Sequence, residues 1–105
     1  MEGAVRDGPV GFWVYMMANQ RNGVIYTGHT DNLWQRVQQH RNATFDGFTK
    51  KHGCKTLVWA EWYETRHGAF RRERRIKEWR RSWKLLLIEE RNPTWRDMLD
   101  DYITA

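Results

Sequence analysis

Gly11-Phe-Trp-Val-Tyr-Met-Met-Ala18, Asn19-Gln-Arg-Asn-Gly23 and Val24-Ile-Tyr-Thr-Gly-His29 are the stretch that decides the fold. The first run is rich in β-branched and aromatic residues, which suit a pleated, half-buried surface, so it predicts a strand. Asn22-Gly23 is the strongest local turn signal in the chain. The third run reads as the returning strand, and the two together predict a hairpin. The loop length leaves open whether Tyr15 and Tyr26 are directly opposed.

Working outward, Thr30-Asp31 supplies an N-cap, and Asn32 to about Arg41 predicts a short helix. Leu33, Trp34 and Val37 are its inward stripe. Residues 42–55 hold two Gly, several Lys and no clean period, and read as a loop. Thr56-Leu-Val-Trp-Ala-Glu-Trp-Tyr63 is a third strand. A long helical region starts near Arg66, with Ala69, Phe70, Ile76, Trp79 and Trp83 marking its apolar side. Trp83 to Arg91 continues as a second helix or as a bent extension of the first, and Pro93 stops it. Thr94 is placed to cap a last short helix over Trp95–Tyr102. The order is β-β-α-β-α-α, without internal repeat, low-complexity tract or linker. Residues 1–10 read as a flexible tail and 11–105 as a single domain.

A chain of 105 residues buries roughly two-thirds of its unfolded surface, enough for one modest core. Seven Trp, four Tyr and four Phe supply the bulk for it. The net charge of +5 and isoelectric point near 9.7 suit a polyanion, nucleic acid first and an anionic membrane surface second. The single cysteine, Cys54, excludes an internal disulfide and fits a reducing, cytoplasmic location. No apolar run approaches ~18 residues, so no membrane span is expected. Residues 1–10 contain no apolar core of a signal peptide.

The positive charge is concentrated. Residues 66–84 hold nine Lys/Arg against two acids, an excess of seven, which leaves the rest of the chain at a net −2. Arg71–Arg75 and Lys77–Arg81 are like-charge i,i+4 pairs, which repel one another on a helix. A solvated helix face is the plain reading of a charge run, but this excess favours polyanion contact. Glu73 interrupts the run. It lies three residues after Phe70 and three before Ile76, on or beside the inward stripe. A carboxylate there needs a salt-bridging arginine or a metal, and helical phase alone favours the arginine. Arg36 and His40 are i,i+4 neighbours at the edge of the earlier helix's buried stripe. A guanidinium there can hold a phosphate, and an imidazole can move a proton, although R-x₃-H by itself is a common spacing. His29, His40, His52, His67 and Cys54 form none of the tight pairs of a structural zinc site.

Taken together, Trp13-Val14-Tyr15, Tyr26-Thr27-Gly28, Arg36, His40 and Glu73 resemble the ordered motif set of the GIY-YIG nuclease superfamily. The resemblance runs from about Phe12 to Asp97. Phe48-Thr-Lys-Lys51, the Trp79-to-Trp83 stretch and Asn92-Pro-Thr-Trp95 are similar to its small single-domain bacterial branch. Each tripeptide alone is a weak signal, whereas the ordered set with an acid-bearing basic helix is specific. Trp13-Val14-Tyr15 lacks the first motif's glycine, and Thr27 replaces the usual isoleucine. His29 stands where some repair-type members carry lysine.

The resemblance implies an α+β fold, a three-stranded antiparallel sheet flanked by helices, in agreement with the predicted order. It implies one divalent cation, Mg²⁺ or Mn²⁺, held by Glu73. It also implies a motif tyrosine that helps deprotonate the attacking water, Tyr26 first with Tyr15 as substitute. Arg36 would stabilise charge on the scissile phosphate, His40 would orient or assist the base, and Asn92 would be a supporting residue. A phenol, with a pKa near ~10, is a poor base at neutral pH unless a cation or histidine assists it, so the cluster matters more than any member. The expected nucleic-acid contacts are Gly28, His29, Lys50, Lys51, Arg71, Arg72, Arg74, Arg75 and Lys77. The expected activity is hydrolysis of phosphodiester bonds in DNA, with RNA open as substrate. Structured or damaged DNA in repair or recombination is the expected setting. The chain shows no appended recognition domain, so a protein partner supplying specificity is expected too. The competing readings are a non-cleaving nucleic-acid-binding module, a partner-activated nuclease domain, and an interaction protein that uses Trp79, Trp83 and Trp95.

Overall fold

The computed structural model describes residues 11–42 and 51–103. Strand β1 (Phe12–Ala18) is followed by β2 (Ile25–Thr30), helix α1 (Leu33–Arg41), strand β3 (Thr56–Tyr63) and helices α2 (Arg66–Lys77), α3 (Arg81–Arg91) and α4 (Leu99–Tyr102). The strands form one antiparallel sheet in the order β2-β1-β3. This is the α+β architecture that the sequence predicts. The tail read at residues 1–10 lies outside the described residues. Within the stretch read as loop, 43–50 also lie outside, and Lys51 and His52 are helical.

β1 is central, and every residue from Trp13 to Ala18 is buried. That is why it reads as a continuous apolar run rather than an alternating one. Its two faces feed two cores. Trp13, Tyr15 and Met17 pack with Leu33 and Val37 of α1, with Leu57 and with Leu99 of α4. Val14, Met16 and Ala18 pack with Ala69 and Ile76 of α2, with Trp59 and with Ile88 of α3. The sheet is thus covered on both sides, with α1 and α2 on opposite faces.

The hairpin loop spans residues 19–24, since Ala18 pairs with Ile25. Asn19 closes it: its side-chain oxygen accepts the Val24 N–H at 2.9 Å, and Asn22 takes the left-handed φ of 58° that asparagine tolerates. Tyr15 therefore faces Gly28, and Tyr26 lies two residues along the same face, diagonal to Tyr15 and not opposite it.

Local differences from the sequence reading have clear causes. The α1 N-cap is Asn32, whose side chain accepts the Gln35 N–H; Thr30 instead accepts the Asn32 N–H. Thr65 caps α2 through the Gly68 N–H. α2 and α3 are separate helices, broken at 78–80 where Arg80 is extended. Phe70 and Trp83, expected on the covered side, are 42% and 49% exposed. The last helix is only Leu99–Tyr102, because Trp95 adopts a left-handed φ of 61° and Asn92 ties the 92–96 turn.

Candidate active site

The hairpin and α1 bring the first group of predicted residues together. Tyr15, fully buried, shares a hydrogen bond of 2.9 Å between its hydroxyl and His40 Nε2. The partly buried Tyr26 ring completes the group, its centroid 5.0 Å from His40 and 6.2 Å from Tyr15. His40 is entirely buried, seven residues after Leu33 and three after Val37 on the inward stripe of α1, deeper than the stripe edge that its spacing suggested. Burial pushes the Tyr15 phenol well above its ordinary value of 10.0. The neighbouring Tyr26 adds to this, and Arg36 opposes it by its charge and a hydrogen bond. Arg36 therefore reaches the Tyr15 phenol from α1.

Gly28 is explained by this packing. A Cβ there would sit 2.8 Å from the Tyr15 hydroxyl oxygen and 3.0 Å from a Tyr26 ring carbon. The absence of a side chain is what lets both phenols lie over the strand.

The second group sits across the sheet. Val14 pairs with His29, one residue out of phase with Tyr15 and Gly28, so His29 points to the α2 face. There Glu73, 8% exposed, holds two partners, one of them an ammonium group. His29 Nδ1 lies 2.5 Å from its Oε1, and Lys77 Nζ lies 2.5 Å from its Oε2. An ionised carboxylate only accepts, so His29 donates from Nδ1. The partner that this inward acid required is thus a histidine and a lysine, not the arginine that helical phase favoured. The charge of Glu73 still reaches Tyr15, as the smallest of the influences on that phenol.

The donor set fits a hard divalent cation of one kind. Among the described residues no three His, Cys, Asp or Glu side chains group to cage an ion. A single, nearly buried carboxylate suits Mg²⁺, or Mn²⁺ in its place, which takes most of its ligands from water and phosphate, and does not suit a zinc cage.

The remaining predicted residues divide by position around α2. Arg71, Arg74, Arg75 and Lys77 are exposed. Arg72 is tied down, with Nε 2.9 Å from Glu61 Oε1 and the guanidinium 5.4 Å from the Trp79 ring centre. Arg71, Arg72 and Arg75 line a cleft with Tyr63 and Gly68 on the β3 side of α2, away from Lys77. Burial and the Glu61 hydrogen bond raise the Tyr63 phenol. Lys51 is exposed, and Lys50 lies outside the described residues. Asn92 meets neither group: its amide donates to Val58 O and Arg96 O and accepts the Arg96 N–H, all backbone. The sequence reading missed Glu61, which neutralises Arg72. Its isolation in an apolar strand was the available signal.

A family model described as the GIY-YIG catalytic domain matches residues 11–86. A UPF0213 protein of Staphylococcus aureus strain Mu3 is 39% identical over 70 residues, which is 67% of this chain and 85% of that protein. The UPF0213 protein of strain MW2 matches to the same extent. The solution NMR structure of a UPF0213 protein from Bacillus halodurans superposes with a TM-score of 0.52 at 22% identity, over 90% of this chain and 99% of that one. The last likeness speaks to the fold.

Proposed function

Since this chain belongs to the GIY-YIG catalytic-domain family, a nuclease superfamily, we propose that it is a divalent-metal-dependent endonuclease hydrolysing phosphodiester bonds in DNA. The observation that carries the proposal is Glu73. A carboxylate on a strongly basic helix is drawn into the fold at the sheet edge, behind the β1–β2 pair whose other face carries the two phenols.

In this reading Tyr26 receives the proton of the attacking water. Its ring is partly exposed and lies tilted against His40, which supports that role. Burial keeps Tyr15 protonated, which suits a hydrogen-bond donor that fixes His40 and not a base. Arg36 neutralises charge on the scissile phosphate, and His29 orients the Glu73 carboxylate. Mg²⁺ or Mn²⁺ bound at Glu73 would supply charge neutralisation at phosphorus and a more acidic bound water. Gly28 keeps the phenols close, Asn92 supports the C-terminal turn, and the α2 arginines hold DNA. A cytoplasmic location fits the lone buried Cys54, and no described helix is long and apolar enough to cross a membrane. A protein partner adds specificity, and structured or damaged DNA is the substrate.

A second reading, a binding module that does not cut unaided, is favoured by Lys77, which already neutralises Glu73 without a metal. Nicking of supercoiled plasmid in Mg²⁺, Mn²⁺ or EDTA, with Glu73→Gln beside the parent, decides between them. The nuclease reading expects metal-dependent cutting that falls at least ~100-fold in Glu73→Gln. Salt-sensitive binding by both proteins with no cutting by either selects the binding module.

A further inference from the structure

Phe70 is used neither by the fold nor by the chemistry above. It follows Ala69 and precedes Glu73 by one helical turn, a phase that reads as core, yet its ring is 42% exposed. The ring is held in place. His29 meets it edge-on at 5.8 Å and 72°, and the Arg74 guanidinium lies 5.6 Å from its centre. Phe70 forms the apolar part of a shallow cleft of about 240 Å³ bounded by Arg71, Arg74, Arg75 and Glu78. Trp62 and Trp83 are exposed as well, but Phe70 is the exposed ring that touches His29, the residue bonded to Glu73.

We propose that Phe70 is a base-stacking platform beside the cleavage centre, taking the face of one nucleobase while Arg74 and Arg75 hold the adjoining phosphates. Every base has an apolar π-face, and an aromatic ring next to fixed guanidinium groups is the combination that binds single strands with little sequence preference. In intact duplex both faces of a base are covered by its neighbours. A site built on stacking therefore selects DNA in which a base beside the scissile phosphate is already unstacked: single-stranded, gapped or mispaired. This deepens the nucleic-acid reading of the same site and rests on it.

The test is equilibrium binding by fluorescence anisotropy, in EDTA so that nothing is cut. A labelled single strand and the same sequence as duplex are titrated with parent, Phe70→Leu, Phe70→Tyr and Arg74→Ala. Phe70→Leu keeps apolar bulk without the π-face, and its melting curve checks the fold. The expected result is a roughly tenfold loss of single-strand affinity in Phe70→Leu, with duplex affinity and the salt slope unchanged. Phe70→Tyr stays near the parent, and Arg74→Ala lowers the salt slope by about 0.7. Equal single-strand affinity in Phe70→Leu and parent, or equal losses on single strand and duplex, overturns the platform. A parent that binds neither form overturns the platform and the nucleic-acid reading together. A parent that binds in a Phe70-dependent way but cuts nothing in Mg²⁺ or Mn²⁺ overturns the nuclease reading and upholds the platform.

Discussion

Lys77 and Tyr15 are the two residues at which the site makes the sharpest demands. Lys77 holds one oxygen of Glu73, so a cation arriving there must displace an ammonium group. Its side chain is 48% exposed, and water screens the pair, so the competition is modest. Lys77→Met should tighten Mn²⁺ binding roughly two- to fivefold, read by calorimetry without substrate. An unchanged affinity would mean that Lys77 leaves at no cost. Tyr15 sets a pH limit. Its folded value is raised, so the folded state keeps the proton after the unfolded chain begins to lose it near 10.0. The stabilisation is complete below that pH and is lost as pH climbs above it, by up to about 1.4 kcal/mol per pH unit. Urea unfolding at pH 9 and pH 11 should show this loss in the parent and a smaller one in Tyr15→Phe. The candidate site residues were legible as an ordered set of types along the chain. Their pairing was not: His29 and Glu73 are 44 positions apart, and strand alternation separates His29 from Tyr26 and Gly28 without saying that α2 packs on the His29 face.

At the scale of elements, the strands and α1 were readable because their signals are local: a β-branched and aromatic run, a turn pair, an apolar stripe at helical spacing. The break between α2 and α3 was left open because no Gly or Pro marks it. It is stabilised from outside, where the Arg81 guanidinium donates to the carbonyls of Asn22 and Gly23 at 2.7 Å each and ties the start of α3 to the hairpin loop. The C-terminal turn is similar. Trp95 is held in a left-handed conformation with its indole donating to Glu89, and Asn92 stitches that turn to β3 through Val58. Local propensity contains none of these partners. Asn92 is 2% exposed and makes three backbone hydrogen bonds, so Asn92→Ala should cost about 2–3 kcal/mol of stability by chemical unfolding. Mn²⁺ affinity at Glu73 should stay at the parent's value. A stable variant with weakened metal binding would move Asn92 from the scaffold to the site.

Over the whole molecule, charge and apolar mass are segregated. Several arginines away from the outer face of α2 are paired, Arg72 with Glu61, Arg41 with Asp97 and Arg96 with Asp101. Arg71, Arg74 and Arg75 are exposed along α2, and so is Arg66, whose guanidinium lies 3.4 Å from Asp31. Four phosphate contacts from such a face predict that DNA affinity falls roughly a hundredfold between ~50 and ~200 mM salt. Anisotropy titrations across that range measure it, and a flat profile would remove α2 as the contact surface. β1 is the member that joins the two halves of the site. Tyr15 and Val14 are consecutive, yet one stands over Gly28 on the phenol side and the other beside His29 on the carboxylate side. The candidate centre thus depends on odd and even positions of one strand being kept distinct. A residue added to the 19–24 loop leaves that alternation intact, whereas a residue added within β1 exchanges the sides for everything beyond it. Changes of length in this hairpin are tolerable only where the chain has already left the sheet.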